Sequence, residues 1–513
     1  MVNYGVSRAC ETCRKRRKKY DEGRPTCSRC AKAGRVCLGY RSEDQLHFRY
    51  HAAPVNAPVQ TPLPPISEIY TTDHAVRFFL DQYVVRTTDT RISRGFLHGL
   101  PSLLANAEPY TDLVQAVEIV AWASLGNQFS WPDLLVKARK QYITLLQSFQ
   151  VLLLSCQLHS PTVEALVIVI LLGMYEIVSS ADLLPEQQQH VAHVRGVYAL
   201  LLSDSSPFDL RSSTQLFQVA SPLLARGALQ NDHTAGVLCA PASNNTVRNL
   251  GQILIECHSL FERVNTQLQN PQTPPTDLQE TFAKALRKEY AFSQWDTNLD
   301  TSWQANTIGY VTEAEAQASS CPFCWHGAVH SYFDVYVAAV MNTYRKTYLM
   351  LLEALIRTAS HINPVNHADT ITNWTHEARL LADDIVASVP YHLTSNLRDY
   401  LRTITSQKGT PRIGRSVGGL LLLHPLYVLS TSSILHPPMQ SYVKSCLAWI
   451  GQYMEIGQGT LMSKVNGSQG YAILPFQEMA EEHVLIWAGM LLQPIEKREC
   501  GAASSKQNQN DCG

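Results

Sequence analysis

Two copies of one pattern near the amino terminus, CETCRKRRKKY and CSRCAKAGRVC, constrain this chain more than any other feature of it. Cys10-x2-Cys13-x6-Tyr20 is followed by Cys27-x2-Cys30-x6-Cys37, so each copy sets a CxxC knuckle before a short helix and a closing residue after it. A segment this small cannot bury a sufficient apolar core, so a bound metal must supply its folding energy. Thiolates at this spacing suit a tetrahedral d10 ion such as zinc, which takes soft ligands and brings no redox chemistry. The repeat also identifies Tyr20 as the residue standing where a cysteine is expected. Its phenol, with a pKa of about 10, is a poor ligand at neutral pH and is longer than a thiol.

Charge is distributed unevenly. The 513 residues sum to −1 at neutral pH, yet residues 8–41 hold twelve Lys and Arg against Glu11, Asp21 and Glu22. That local excess of nine leaves about −10 on the remainder. A basic head on an acidic body points to a polyanionic partner for the head. The amino terminus is polar and basic and lacks the apolar stretch of a signal peptide, so a reducing compartment is expected, with the clustered cysteines binding metal rather than pairing as disulfides. The most apolar run, Leu166 to Tyr175, lies between Glu164 and Glu176 and is too short to span a bilayer; together with Gly418 to Leu435 it is expected to form buried helix, and no membrane partner is expected.

The string Cys10-Glu-Thr-Cys13, the basic run to Tyr20-Asp21, Arg24-Pro25-Thr26-Cys27-Ser-Arg-Cys30 and Cys37 resembles the fungal Zn2Cys6 binuclear-cluster transcription factors. In that family six cysteines hold two zinc ions, the first and fourth bridging both. The resemblance implies that Cys10 and Cys27 bridge, that Cys13 belongs to one zinc, and that Cys30 and Cys37 belong to the other; Pro25 matches the proline of the connecting loop. Two tetrahedral ions need eight ligand places, and five cysteines with two bridging fill seven. Asp21 or water filling the gap, a module holding the second zinc alone, and a module that no longer binds DNA all remain open.

The resemblance further implies a double-stranded DNA partner and a nuclear location. Only the first repeat is strongly basic, with Arg14 to Lys19 unbroken, so its helix should face DNA. Arg16 and Arg17 align with the basic pair that reads a CGG-type triplet in the family, and the arginine fork can donate to guanine O6 and N7 together. Arg14, Lys15, Lys18, Lys19 and Arg24 are then expected on phosphates, giving affinity and salt dependence without sequence information. Residues 38–70 show no sustained heptads, which leaves open monomeric binding or a homodimer formed through the body.

The expected architecture is a small metal-nucleated DNA-binding module over 1–41, a linker over 42–70 containing the Pro-rich Ala52 to Ile66, a large all-α regulatory domain over 71–495, and a disordered tail over 496–513. Helices are predicted from about Thr72, after Ser160-Pro161, and near 191–202, 249–267, 277–289, 330–360, 370–388, 416–435, 438–456 and 475–493, with linker-like breaks at 203–212, 268–276 and 300–320. Ala165 to Glu176, His193 to Gly196, Asp334 to Arg345 and Leu420 to Leu426 are similar to the fungal-specific transcription factor domain, which implies contacts with transcription machinery or co-regulators. Phe476 to Leu492, mixing acids with bulky apolar residues, is expected to pack as an amphipathic helix.

Two motifs invite an enzymatic reading, and neither carries one. Gly414-Arg-Ser416-Val-Gly418 matches the G-x-S-x-G elbow, but it follows loop-like SQKGTPRI where a strand is needed, and no acid and base follow suitably. Cys321-Pro-Phe-Cys324-Trp-His326 lacks the βαβ context of a redox pair, so incidental buried cysteines are expected there. No catalysis is expected.

Overall fold

The computed structural model describes residues 28–34, 37, 71–89, 92–154, 163–179, 193, 196, 246, 250, 253–254 and 257–465. The chain divides into two compact units, Met1–Ile69 and Tyr70–Gly513. In the first, the described secondary structure is the short helix α1, Ser28–Lys32. In the second, a helical body begins with α2 (Thr72–Tyr83), α3 (Leu100–Asn106), α4 (Asp112–Gln128), α5 (Pro132–Leu154) and α6 (Val163–Ser179). It continues with α7 (Cys257–Gln269), α8 (Pro275–Thr297), strand β1 (Asn306–Val311), α9 (Glu313–Ala318), strand β2 (Gly327–Ser331) and α10 (Val335–Ile362). The last described helices are α11 (Ala368–Leu393), α12 (Leu397–Ser406), α13 (Ser416–Thr431), α14 (Pro437–Tyr453) and α15 (Gly457–Ser463).

The helices form where local chemistry favours them. Thr71 caps α2 by accepting from the His74 amide, Asp334 caps α10 by accepting from the Val337 amide at 2.9 Å, and Asn396 caps α12 through the Asp399 amide at 3.1 Å. On α5 the buried residues Leu134, Ala138, Tyr142, Leu145 and Phe149 recur at helical spacing and make one apolar stripe. Two helices lie deeper. On α10 nearly every side chain from Tyr336 to Leu355 is buried, and all sixteen residues of α13 are. Helix α10 packs on α8, α11 and α13; α13 also packs on α11, α14 and α2; α4 packs on α5, α6 and α2. Among the described residues no helix is long and apolar enough to cross a membrane.

The mostly helical body agrees with expectation, with one correction. The predicted linker-like break at 300–320 is ordered: a 3-10 turn, Thr301–Trp303, leads into β1, which pairs antiparallel with β2 across α9. Period-two alternation does not announce β1, because only Val311 of its six residues is buried and a bulge interrupts the register between Thr307 and Gly309. Helices α4 and α5 were not anticipated. The predicted helices at 191–202 and 475–493, the linker and the tail fall wholly or mainly outside the described residues.

Close approach explains Gly418. A Cβ there would lie 1.9 Å from the His392 carbonyl oxygen, so α13 crosses α11 with backbone against backbone. Pro425 sits inside α13 and removes one amide donor without ending the helix.

Candidate metal centre and nucleic-acid interface

Of the ligands read from sequence, Cys30 and Cys37 are described. Cys30 lies on α1 and is 2% exposed, whereas Ala31, Lys32, Ala33 and Gly34 are all exposed. The Gly34 amide donates to the Ala31 carbonyl at 3.1 Å with φ at +60°, a left-handed turn that ends the helix as glycine permits. Cys37, three residues on, is half-buried. A thiol therefore takes a buried position on a five-residue helix where a self-sufficient fold would place an aliphatic side chain. Soft sulfur donors in so small a unit fit a structural zinc. Cys10, Cys13, Tyr20, Asp21, Cys27, the basic run Arg14 to Lys19 and Arg24 lie outside the described residues.

The residues that resemble a regulatory domain turn out to be core. Tyr142 of α5 stacks on Tyr175 with ring centroids 4.4 Å apart, and its hydroxyl lies 2.8 Å from His193 Nε2. Two separate sequence motifs, Tyr175-Glu176 and His193 to Gly196, thus converge on one helix. Burial lowers the His193 pKa to about 4 and raises that of Glu176 above the usual carboxylate range.

Asp334 to Arg345 supplies the other polar cluster. Arg345 Nη1 donates to the Tyr332 hydroxyl at 2.7 Å and to Asn342 Oδ1 at 3.2 Å, while Nη2 lies 3.3 Å from Asp384. The Asn342 amide donates to Ser388 Oγ at 2.9 Å and faces His392 Nε2 at 3.4 Å. His392 Nδ1 is 3.1 Å from the Gly418 carbonyl, an acceptor only, so Nδ1 carries the proton and Nε2 accepts from Asn342. Burial lowers the His392 pKa to about 4, in keeping with this neutral tautomer. Nearby, Lys346 of α10 meets His424 of α13, and burial pushes both pKa values well below their ordinary ranges.

The two decoy motifs also acquire structural explanations. Ser416 is the first residue of α13; its amide and hydroxyl donate to Gln82 Oε1 at 3.1 and 3.2 Å, and the Arg415 guanidinium donates to the carbonyls of Asp81 and Val84. Helix α2 thereby has its carboxyl end satisfied by the residues that open α13, and reciprocally. The sheet among the described residues is the two-stranded antiparallel pair, which offers no elbow. Cys321 and Cys324 are joined by a turn, the Cys324 amide donating to the Cys321 carbonyl at 3.1 Å. Burial raises both thiols, Cys321 to about 12, away from the reactive thiolate form. Among the described residues no group of three His, Cys, Asp or Glu is placed to hold a metal ion. Sequence reasoning did not find the cavity beside this turn, where Trp325 and His326 face Asp383 and Asp384 of α11. Its one sequence signal was the Trp-His pair after the second cysteine.

Comparison with known proteins closes the question of family. Residues 8–46 match the model of the fungal Zn(2)-Cys(6) binuclear cluster domain, a span holding both CxxC copies and the basic run. The chain is also 31% identical over 427 residues to transcription factor dbaG of Emericella nidulans, covering 82% of this chain and 96% of that protein. No solved structure matches. The family-model match over both CxxC copies and a relative aligned along nearly its whole length make this chain a member of the fungal Zn2Cys6 transcription factors, proteins that bind zinc and DNA.

Proposed function

We propose that the protein is a nuclear, sequence-specific regulator of genes transcribed by RNA polymerase II, and that it reads CGG-type elements. The observation that carries this reading is the family-model match over residues 8–46, which spans the ligands and the basic helix together. Cys10, Cys13, Cys27, Cys30 and Cys37 hold two zinc ions, Cys10 and Cys27 bridging, with Asp21 or solvent completing the place left by Tyr20. Zinc supplies the folding energy that the small unit lacks. Arg16 and Arg17 donate to guanine edges; Arg14, Lys15, Lys18, Lys19 and Arg24 bind phosphates. The domain division is 1–41, 42–70, 71–495 and 496–513, with the body engaging co-regulators or a second copy of the chain.

Tyr20 favours a second reading, in which the cluster no longer grips DNA and the protein acts through partners of its helical body. Mobility-shift assays with full-length protein separate the two. A CGG probe should shift, with affinity falling steeply as salt rises; Arg17→Ala should relax triplet preference by about 1–3 kcal/mol, while Lys19→Ala should weaken all probes alike. Failure to shift any CGG-containing probe would sink the first reading in favour of the second.

A further inference from the structure

A groove runs along one face of α8. Lys284, Arg287, Ala291 and Gln294 recur at three- and four-residue spacing, so they fall on a single stripe of the helix. Against α7 and the residues before it, this stripe borders two adjoining cavities that share Ala291. One, of about 620 Å³, lies at the Lys284 end; the other, of about 450 Å³, lies toward Asn298. Each falls within the ~300–1,000 Å³ typical of small-molecule sites.

The two ends differ in chemistry. Arg263 of α7 and Lys284, Arg287 and Lys288 of α8 surround the larger cavity over an apolar floor of Leu260 and Ala291, and none of its described lining residues is acidic. Lys284 is paired with Glu280 at 2.7 Å, and Lys288 donates to the Ile253 carbonyl at 3.1 Å. Arg263 and Arg287, both exposed, have no hydrogen-bond or ion-pair partner among the described residues. Glu280 feels them only at a distance: its carboxyl is drawn below the ordinary range by Lys284 first, then by Arg263 and Arg287. The groove is thus basic in a chain whose residues outside 8–41 sum to about −10. At the smaller cavity Tyr290 is 65% exposed and stacks on no other ring among the described residues, whereas Trp295 is buried against Tyr344 and closes the floor.

We propose that this groove binds a nucleotide polyphosphate, its phosphates between Arg263 and Arg287 with Lys284 and Lys288 beside them, and its base on the ring of Tyr290. Both ends act on the same guest: the two unpaired guanidinium forks suit phosphate oxygens, and the face of an exposed tyrosine accepts any base. From Lys284 to Gln294 the helix rises about 15 Å at ~1.5 Å per residue, so one extended guest reaches from the cations to the ring. A plain dicarboxylate would engage the cations and leave Tyr290 idle. The guest bridges α7 and α8, both of which pack on α10, so its occupancy is passed to the core of the body. The inference does not rest on the zinc cluster or on DNA binding.

Calorimetric titration of the full-length protein with ATP, inorganic tripolyphosphate and adenosine in magnesium-containing buffer tests it. ATP should bind saturably at one site, tripolyphosphate about tenfold more weakly, and adenosine more weakly still. Arg287→Ala and Tyr290→Ala should each weaken ATP by about tenfold while far-ultraviolet dichroism stays unchanged. The basic run Arg14 to Lys19 also attracts polyanions, so the titration is repeated with saturating duplex DNA, in which ATP binding should persist. Absence of saturable ATP binding to the unaltered protein overturns the proposal, as does displacement of ATP by the duplex. Equal affinity for tripolyphosphate, or unchanged affinity for ATP in a folded Arg287→Ala or Tyr290→Ala protein, overturns it too. Should a variant fail to fold, the three probes and the duplex competition on the unaltered chain still decide.

Discussion

On the ligand set proposed above, a single atom type at Tyr20 decides how well the first metal place is filled. A neutral phenol offers oxygen where the repeat calls for thiolate, and zinc prefers the thiolate. Tyr20→Cys is expected to raise the zinc content measured by atomic emission to two ions per chain and to tighten CGG binding; an unchanged content would mean that another group already completes the site. Glu455 is the residue-scale counterpart in the body. Its backbone sits at φ +62°, its carbonyl accepts from the Asn127 amide at 3.1 Å, and burial lifts its carboxyl from 4.5 to about 7. A carboxyl raised on folding favours the folded state while protonated, and that contribution is lost as pH rises from about 4.5 through about 7. Glu455→Gln should therefore raise the melting temperature at pH 8 and lose most of that advantage at pH 5. A variant no more stable than the parent at pH 8 would remove burial of the charge as the cause.

At the scale of elements, what sequence could and could not convey depends on how many faces a helix buries. Helix α2 was legible because Val76, Phe79, Leu80 and Tyr83 recur at helical spacing, and the structure buries Phe79 and Tyr83 together with Ala75. Helices α10 and α13 were legible as apolar runs, but not which of their polar residues would be drawn inside: Asn342, Arg345 and Lys346 look like surface residues until α11 and α13 close over them. Helix α4 buries Leu113, Ala116, Val117, Ile119 to Gly126 on nearly all sides, so its apolar residues show no period to detect. Strand β1 failed for the opposite reason, being mostly exposed. In the candidate metal centre the ligands are read from spacing alone, and Cys30 and Cys37 are those that fall among the described residues, whereas the cavity beside β2 joins residues from 325 to 442 that no local pattern connects. The crossing of α11 and α13 gives the test at this scale. Gly418→Ala places a methyl 1.9 Å from the His392 carbonyl oxygen and must separate the helices. A loss of about 1–3 kcal/mol in denaturant unfolding is expected, with Ser416→Ala nearly neutral by comparison because its hydroxyl contributes one of two bonds to Gln82.

For the whole molecule, the two units owe their order to different agents. The body rests on apolar side chains packed along α10 and α13, a source of stability indifferent to metal. The first unit buries a thiol on α1. Removing zinc with a chelator should thus abolish DNA binding while leaving the helical dichroism and the main unfolding transition of the body in place; collapse of both together would show that the body too depends on the ion. Acid acts on the body instead. His193 and His392, each lowered to about 4, are neutral when folded, so stability present above about 6.5 is lost as pH falls toward 4.

The glycines flanking Ser416 carry a consequence for how such chains diverge. Gly418 would bring a Cβ against the His392 carbonyl where α13 crosses α11, and Gly414, ahead of α13, would bring one to 3.0 Å of the Thr394 backbone, so both are limited by packing rather than by chemistry at the serine between them. A chain that keeps this crossing has to keep Gly418 small, whatever stands at the serine. A nucleophile signature can in this way be inherited as a by-product of packing, passing from chain to chain with no reaction to select it.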